Sequence, residues 1–377
     1  DFKDSKMLKK FRVTNFKNFQ EKITFDLGDT RNYKFNSKCV KDGIVNKAII
    51  YGKNASGKSN LLFAIFDIVS GFTDYQGNAL QYHFYQNLLN ESTSTTKFEY
   101  GFSFNSQSVV YICEKSDHNT FVSEQLFIND QLIIDRDSSQ KTFTINIPEL
   151  ENFDNTLTSN NFSVIKYVYK NTKIKELENQ VAKLFVTLMN FVEKMLFFSA
   201  LHRRQFVGFS AVTNESIYKK IVESNKLAEF ENFLRYFDLD YHLIATSDAR
   251  GQPTLAIKFP QQAVEFDIVA SSGMLALALV YYWFINIAEI KLLVIDEFDA
   301  FYHNKLSAKF VKLLIESDCQ VILTTHNTSV MTNELMRPDC YFRINGNGIT
   351  SLANATEIEI REAHNLEKIY RSGWFDE

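Results

Sequence analysis

The decapeptide YGKNASGKSN, Tyr51 to Asn60, lies between two apolar runs, KAII (47–50) and LLFAIF (61–66). Gly52, Gly57, Lys58 and Ser59 fit the pattern G-x-x-x-x-G-K-[ST], and the flanks read as the strand before it and the helix after it that the pattern requires. Glycines let a main chain wrap a phosphate chain without Cβ clashes. Main-chain N–H groups and the helix N-terminus then hold the anion. The loop residues Gly52, Lys53, Asn54, Ala55, Ser56, Gly57, Lys58, Ser59 and Asn60 are therefore assigned to nucleotide binding. Lys58 is expected to reach the β- and γ-phosphates of ATP, and the Ser59 hydroxyl to meet Mg²⁺.

Such a loop needs a carboxylate at the end of a neighbouring strand. LLVIDEFDAF supplies it: four apolar residues, Leu292 to Ile295, precede Asp296 and Glu297. Asp296 is expected to hold Mg²⁺ through water, and Glu297 to polarise the attacking water. In VILTTHNTS a second apolar strand ends in two threonines and His326, where a γ-phosphate sensor would sit. Ser271, Ser272 and Gly273 open the apolar helix MLALALVYYWFINIA. A serine pair with glycine is an N-cap first, and it is also a second anion-binding helix start.

Around these motifs the chain divides by period. LKKFRVTNF and KITFDL alternate as strands. From Lys97 to Ile145 short alternating segments are separated by the turn-like NSQ, SDHN and ND, which predicts an antiparallel meander. From Asn171 to Phe198, Ile174, Leu177, Val181, Leu184, Leu188, Phe191 and Met195 follow a 3–4 spacing and predict one helix with an apolar seam. Glu215 to Phe237 predicts a further amphipathic helix. The last third alternates strands (KLLVID, QVILTT, CYFRI) with helices (NKLSAKFVKLLIES, NTSVMTNELM), which means a mostly parallel sheet. Three parts are expected: an N-terminal ATPase lobe with the P-loop and meander (1–165), a helical insert (166–250), and a C-terminal ATPase lobe (251–377).

The chain has 377 residues, 45% of them hydrophobic, and a formal net charge of -4. That balance excludes a global basic field, so any nucleic-acid contact must come from a local patch. The basic pair Arg203–Arg204 with His202, in LHRRQF (201–206), is the one weak candidate. Cys39, Cys113, Cys319 and Cys340 form no CxxC pair, which argues against zinc or a disulfide framework and for a reducing cytoplasm. The apolar stretch Met274–Ala288 is about 15 residues, short of the roughly 20 a bilayer needs, so no membrane contact is expected. The NK pairs at Asn225 and Asn304 continue without an aspartate, which disfavours a GTPase.

The order P-loop, SSG helix start, hydrophobic-DE strand and strand-His resembles the ABC-type ATPase head of the SMC and Rad50 superfamily. More narrowly, LKKFRVTNFKNFQEKITFDL, GKNASGKSNLL, IDEFDAFYHNKL and LMRPDCYF resemble the compact AAA-type ATPases of bacterial anti-phage and abortive-infection systems. Those include the ATPase half of the overcoming-lysogenization-defect (OLD) nucleases. The resemblance implies an ATP sandwiched in a homodimer or higher oligomer, with Ser271, Ser272 and Gly273 of one chain capping nucleotide held by the other. It implies Glu297 as catalytic base and His326 as switch. Three departures stand out. The signature reads ASSGM, His303 sits near the usual D-loop acid, and no Q-loop residue is assigned, Gln81 and Gln86 being weak candidates. About 50 residues follow His326, too few for a nuclease domain, so a separate effector chain is expected. The expected function is an ATP-driven switch or scaffold in defence, with slow hydrolysis; a RecF-like DNA repair ATPase is the alternative.

Overall fold

Chain alternation becomes two seven-stranded sheets with one helix between them. The computed structural model describes residues 5–75, 84–199, 206–208, 214–300, 304–346 and 348–375. Gln81, His202, Arg203, Arg204 and His303 lie outside them.

Strands β1 (Lys6–Thr14) and β2 (Ile23–Asp26) open the chain as an antiparallel pair. The two-residue strands β3 (Val40–Lys41) and β4 (Ile44–Val45) lead into β5 (Lys47–Tyr51), which is buried throughout. Helix α1 (Lys58–Phe72) follows the glycine-rich loop. The meander then runs as β6 (Thr96–Phe104), β7 (Gln107–Lys115), β8 (Phe121–Ile128), β9 (Gln131–Asp137) and β10 (Thr144–Ile145). Its turns are legible: Asn105–Ser106 and Asn129–Asp130 all have positive φ, the pair of left-handed residues a two-residue hairpin takes. Together these strands form the antiparallel sheet β10-β9-β8-β7-β6-β1-β2.

Helices α2 (Val164–Asn171) and α3 (Gln180–Glu193) come next, and then β11 (Met195–Ser199) and β12 (Phe206–Gly208). The single helix expected over 171–198 is thus broken. Ile174–Glu176 is one 3-10 turn, and Met195 belongs to a strand. MLFFS is apolar on every side, so it fits a central strand as well as a seam, and pairing with a distant partner decides it. The stretch from Glu215 to Phe237 is also two helices, α4 (Asn214–Glu223) and α5 (Leu227–Tyr236). Asn225 between them takes φ +55.

Strands β13 (Leu243–Ser247), β14 (Pro253–Lys258) and β15 (Ala263–Glu265) form a small antiparallel sheet. The short α6 (Phe266–Val269) leads to α7 (Ser272–Ile285), β16 (Leu292–Asp296), α8 (Asn304–Ile315) and β17 (Gln320–Thr325). Strands β18 (Tyr341–Asn345) and β19 (Gly348–Ser351) and helix α9 (Leu366–Arg371) end the described chain. NTSVMTNELM forms only a 3-10 turn at Thr328–Val330. Its polar side chains serve the backbone instead, Asn333 Nδ2 donating to the carbonyls of Arg361, Glu362 and His364.

The second large sheet has the order β12-β11-β16-β17-β5-β18-β19. Its five inner strands are parallel and both edge strands are antiparallel. The fold is therefore α/β with a mostly parallel core sheet, as expected. Helix α1 lies between the two sheets: Tyr100 of β6 donates to the Ala64 carbonyl at 2.9 Å on one side, and Phe63 and Phe66 pack on Phe197 of β11 on the other. The far face of the parallel sheet is covered by α7 and α8, with Leu279, Trp283 and Phe310 against Phe198, Leu293 and Ile295. Helix α7 is apolar around its circumference, so its outer side needs a cover too. Phe230 and Phe233 of α5 supply it on Tyr281. Among the described residues no helix is long and apolar enough to cross a membrane.

Candidate functional site

Parallel strands place their C-terminal ends on one edge, and there the loops after β5, β16 and β17 meet. The P-loop leaves β5 at Tyr51 and enters α1 at Lys58. Its backbone needs the left-handed region twice, at Ala55 (φ +62) and Gly57 (φ +99). A Cβ on Gly57 would stand 2.6 Å from Asn18 Nδ2 and 2.7 Å from the Phe19 ring, so glycine is required by space as well as by φ. Gly52 is similarly enclosed by Ser56 Oγ and the Ile344 carbonyl.

Lys58 is buried, and its ammonium donates to the Gly52 carbonyl at 2.9 Å and the Lys53 carbonyl at 3.3 Å. It also lies 2.9 Å from His326 Nε2. Burial pushes the Lys58 amine below its ordinary pKa, while Glu297 and Asp296 pull it up. His326 is likewise lowered, by burial first and by the Lys58 charge second. Both causes disfavour the imidazolium beside the Lys58 ammonium, and an unprotonated Nε2 is the form that accepts its N–H. Glu297 Oε1 lies 3.8 Å from the same nitrogen.

Ser59 Oγ donates to Asp296 Oδ2 at 2.7 Å. Asp296 ends β16 and is 2% exposed. Two hard oxygen donors side by side at a phosphate loop fit Mg²⁺, which keeps most of its waters and takes one or two protein ligands plus phosphate oxygens. Among the described residues no group of three or more His, Cys, Asp or Glu could hold a metal by itself, so a dedicated protein cage of that kind is not what this edge offers. Glu297 follows at φ +49, a left-handed conformation unusual for a residue with a side chain. Lys58, Ser59, Asp296, Glu297 and His326 thus lie together at one strand-end edge.

Ser271 caps α7, accepting from the Met274 N–H at 3.3 Å. Ser271 and Ser272 are exposed and Gly273 is half-buried. Exposed Ile268 (72%) and Val269 precede them, with Ala270 between. Gln86 donates to the Ser94 and Ser116 carbonyls, which ties it to loop backbone.

Several neighbours carried no signal in the sequence reading. Asn18 Oδ1 accepts from Asn60 Nδ2 at 2.7 Å, which lays the loop after β1 against the P-loop. Arg343, Asn345 and Tyr370 line a cleft of about 520 Å³ beside residues Gly52 to Ser56. All three come from the last 35 residues, some 290 or more residues after the loop they face, and only tertiary pairing brings them here.

The sequence matches the model of the family described as "AAA domain, putative AbiEii toxin, Type IV TA system" over residues 47–181 and 202–332. None of the curated proteins matches the chain in sequence. Among solved structures, the SMC head domain from Thermotoga maritima is similar at 16% identity and a TM-score of 0.43, covering 94% of this chain and 99% of that one. The Pyrococcus furiosus Smc head with an extended coiled coil, bound to the C-terminal domain of ScpA, is similar at 13% identity and a TM-score of 0.49, with 92% and 96% covered. The recombination mediator RecF, solved as RecF-ATPrS, gives 14% identity and a TM-score of 0.40, with 93% and 99% covered.

Proposed function

The chain belongs to this AAA-domain family, and from that membership we propose that it binds ATP with Mg²⁺ and hydrolyses it slowly as a dimeric switch. The system it serves is bacterial anti-phage defence, and a separate effector chain, a toxin or nuclease, reads the switch in the cytoplasm. One observation carries the ATPase reading: the Ser59–Asp296 contact, the Lys58–His326 contact and Glu297 occupy one strand-end edge.

This geometry supports the following roles. The N–H groups of the loop and the start of α1 take phosphate oxygens. Lys58 exchanges its carbonyl and imidazole partners for the outer phosphates. His326, released from Lys58, is free to donate to the terminal phosphate. Glu297 accepts the proton of the attacking water. Mg²⁺, when bound beside Ser59 and Asp296, supplies positive charge for the phosphate oxygens. Ser271, Ser272 and Gly273 of the second chain are assigned to the exposed side of the nucleotide. Their exposure, next to exposed Ile268, supports a role between chains. The family's description names a toxin of a toxin–antitoxin system, which supports a defence role with a partner chain.

Glu297→Gln tests the hydrolytic reading. Its ATP turnover is expected to fall by a factor of about 100 or more, with nucleotide binding retained and an ATP-dependent dimer accumulating in size-exclusion light scattering. Wild-type turnover in this variant removes Glu297 from the chemistry. Co-purification of co-encoded proteins with the trapped dimer identifies the effector.

A further inference from the structure

Two consecutive threonines end β17, and both are 0% exposed. Thr324 Oγ1 donates to Asp296 Oδ1 at 2.6 Å and accepts the Glu297 N–H at 2.8 Å. The Thr324 carbonyl accepts the Phe298 N–H at 3.2 Å. One residue thereby orients the carboxylate of Asp296 and fixes the backbone of Glu297. The other Asp296 oxygen takes the Ser59 hydroxyl, so each oxygen of the carboxylate accepts one hydroxyl. Glu297 has φ +49, a conformation that persists only where its surroundings over-determine it. Thr325 Oγ1 donates to Asp299 Oδ1 at 2.7 Å and accepts the Asn327 N–H at 2.8 Å. The turn 296–299 is thus held at both ends by one strand terminus, and His326 is the next residue along.

Packing alone would be met by valine, the shape of threonine without its hydroxyl, as Val321 shows three residues earlier in the same buried strand. A buried hydroxyl is retained at no loss only when its bonds are made, and here both are made to the turn that carries the two acids. We propose that Thr324 is a positioning residue for hydrolysis. Its hydroxyl sets Asp296 and Glu297 in one arrangement and contributes nothing to the affinity for nucleotide free of Mg²⁺. The proposal rests on the ATPase reading above.

The test uses the full chain in wild-type, Thr324→Val and Thr324→Ser forms. Steady-state ATP hydrolysis is compared with equilibrium binding of a fluorescent ATP analogue in EDTA, and thermal unfolding reports on folding. Thr324→Val is expected to lower kcat by about 10- to 100-fold, the usual effect of losing a group that orients a site residue, while affinity stays within about threefold. Thr324→Ser is expected to recover kcat to within about threefold of wild type, because the hydroxyl returns without the methyl. Unchanged kcat in Thr324→Val, an equal loss of affinity, or failure of serine to rescue overturns the proposal. Should the valine variant not fold, Thr324→Ala is compared with serine on the same criteria. If neither folds, the role is structural and the proposal is lost. A wild-type chain without hydrolysis defeats the ATPase reading instead, and that result is distinct from each of these.

Discussion

Lys58 Nζ and Glu297 Oε1 approach the same atom, His326 Nε2, at 2.9 and 3.8 Å. This gives the site a pH dependence whose sign can be worked out. The His326 pKa lies below its ordinary 6.5, through burial and then Lys58. The folded chain therefore takes up this proton at lower pH than the unfolded chain does. Between the two values the unfolded state binds more protons, so stability rises with pH there. The contribution is complete above 6.5 and is lost as pH falls through the lowered value. On acidification from about pH 7.5 to about pH 5.5, the Tm of wild type should fall further than that of His326→Gln, which accepts from Lys58 without titrating. Equal falls would separate His326 from this linkage. At this scale the sequence was most informative where chemistry is local. Gly57, Lys58 and Ser59 are adjacent, and Asp296 and Glu297 end an apolar run. Asn18 and Thr324 act through partners 42 and 28 residues away, and no local pattern marks them.

Helix α2 starts against a buried charge. Glu124 of β8 and Arg136 of β9 form an ion pair at 2.8 Å with both side chains 0% exposed. Glu124 also accepts from Tyr111 OH at 2.8 Å, the Ser163 hydroxyl at 2.5 Å and the Val164 N–H at 2.9 Å. The carboxylate thus links three strands and the first turn of a helix, whose N-terminus favours negative charge. Glu124→Ala would leave the guanidinium buried with an unpaired charge, and a loss of about 3–5 kcal/mol is expected in denaturant unfolding. A loss below about 1 kcal/mol, the range of an exposed pair, would show that water reaches Arg136. The meander holding this pair was readable because its period and its Asn-Ser and Asn-Asp turns agree. Strand β11 was not readable. Its neighbour β16 lies about a hundred residues later, and a short run apolar on every side has no period of its own. The break between α4 and α5 turns on the left-handed Asn225, which amphipathic spacing continues across without a mark.

For the whole molecule, the start of α7, where Ser271 and Ser272 are exposed, and the Lys58 loop define a prediction about pairs of chains. In the proposed two-fold pair each site would draw on both subunits, so one site could be rebuilt from two damaged chains. Lys58→Ala and Ser272→Arg are each expected to abolish turnover alone, the first by removing phosphate contact and the second by placing bulk at the junction. Mixed in equal amounts, they should recover about a quarter of wild-type turnover, since half the pairs are mixed and each carries one intact site. A mixture as inactive as its components would place both groups in one subunit's site. The strand order carries a last consequence. β5, which delivers the P-loop, is flanked by β17 and β18, segments made some 270 residues later. A nascent chain that has released residues 1–300 from the ribosome owns every atom of the phosphate loop and neither neighbour of the strand behind it. Pairings so distant in sequence form slowly, so a chain interrupted before Gln320 is expected to carry the proposed phosphate loop on a strand without either of its sheet neighbours.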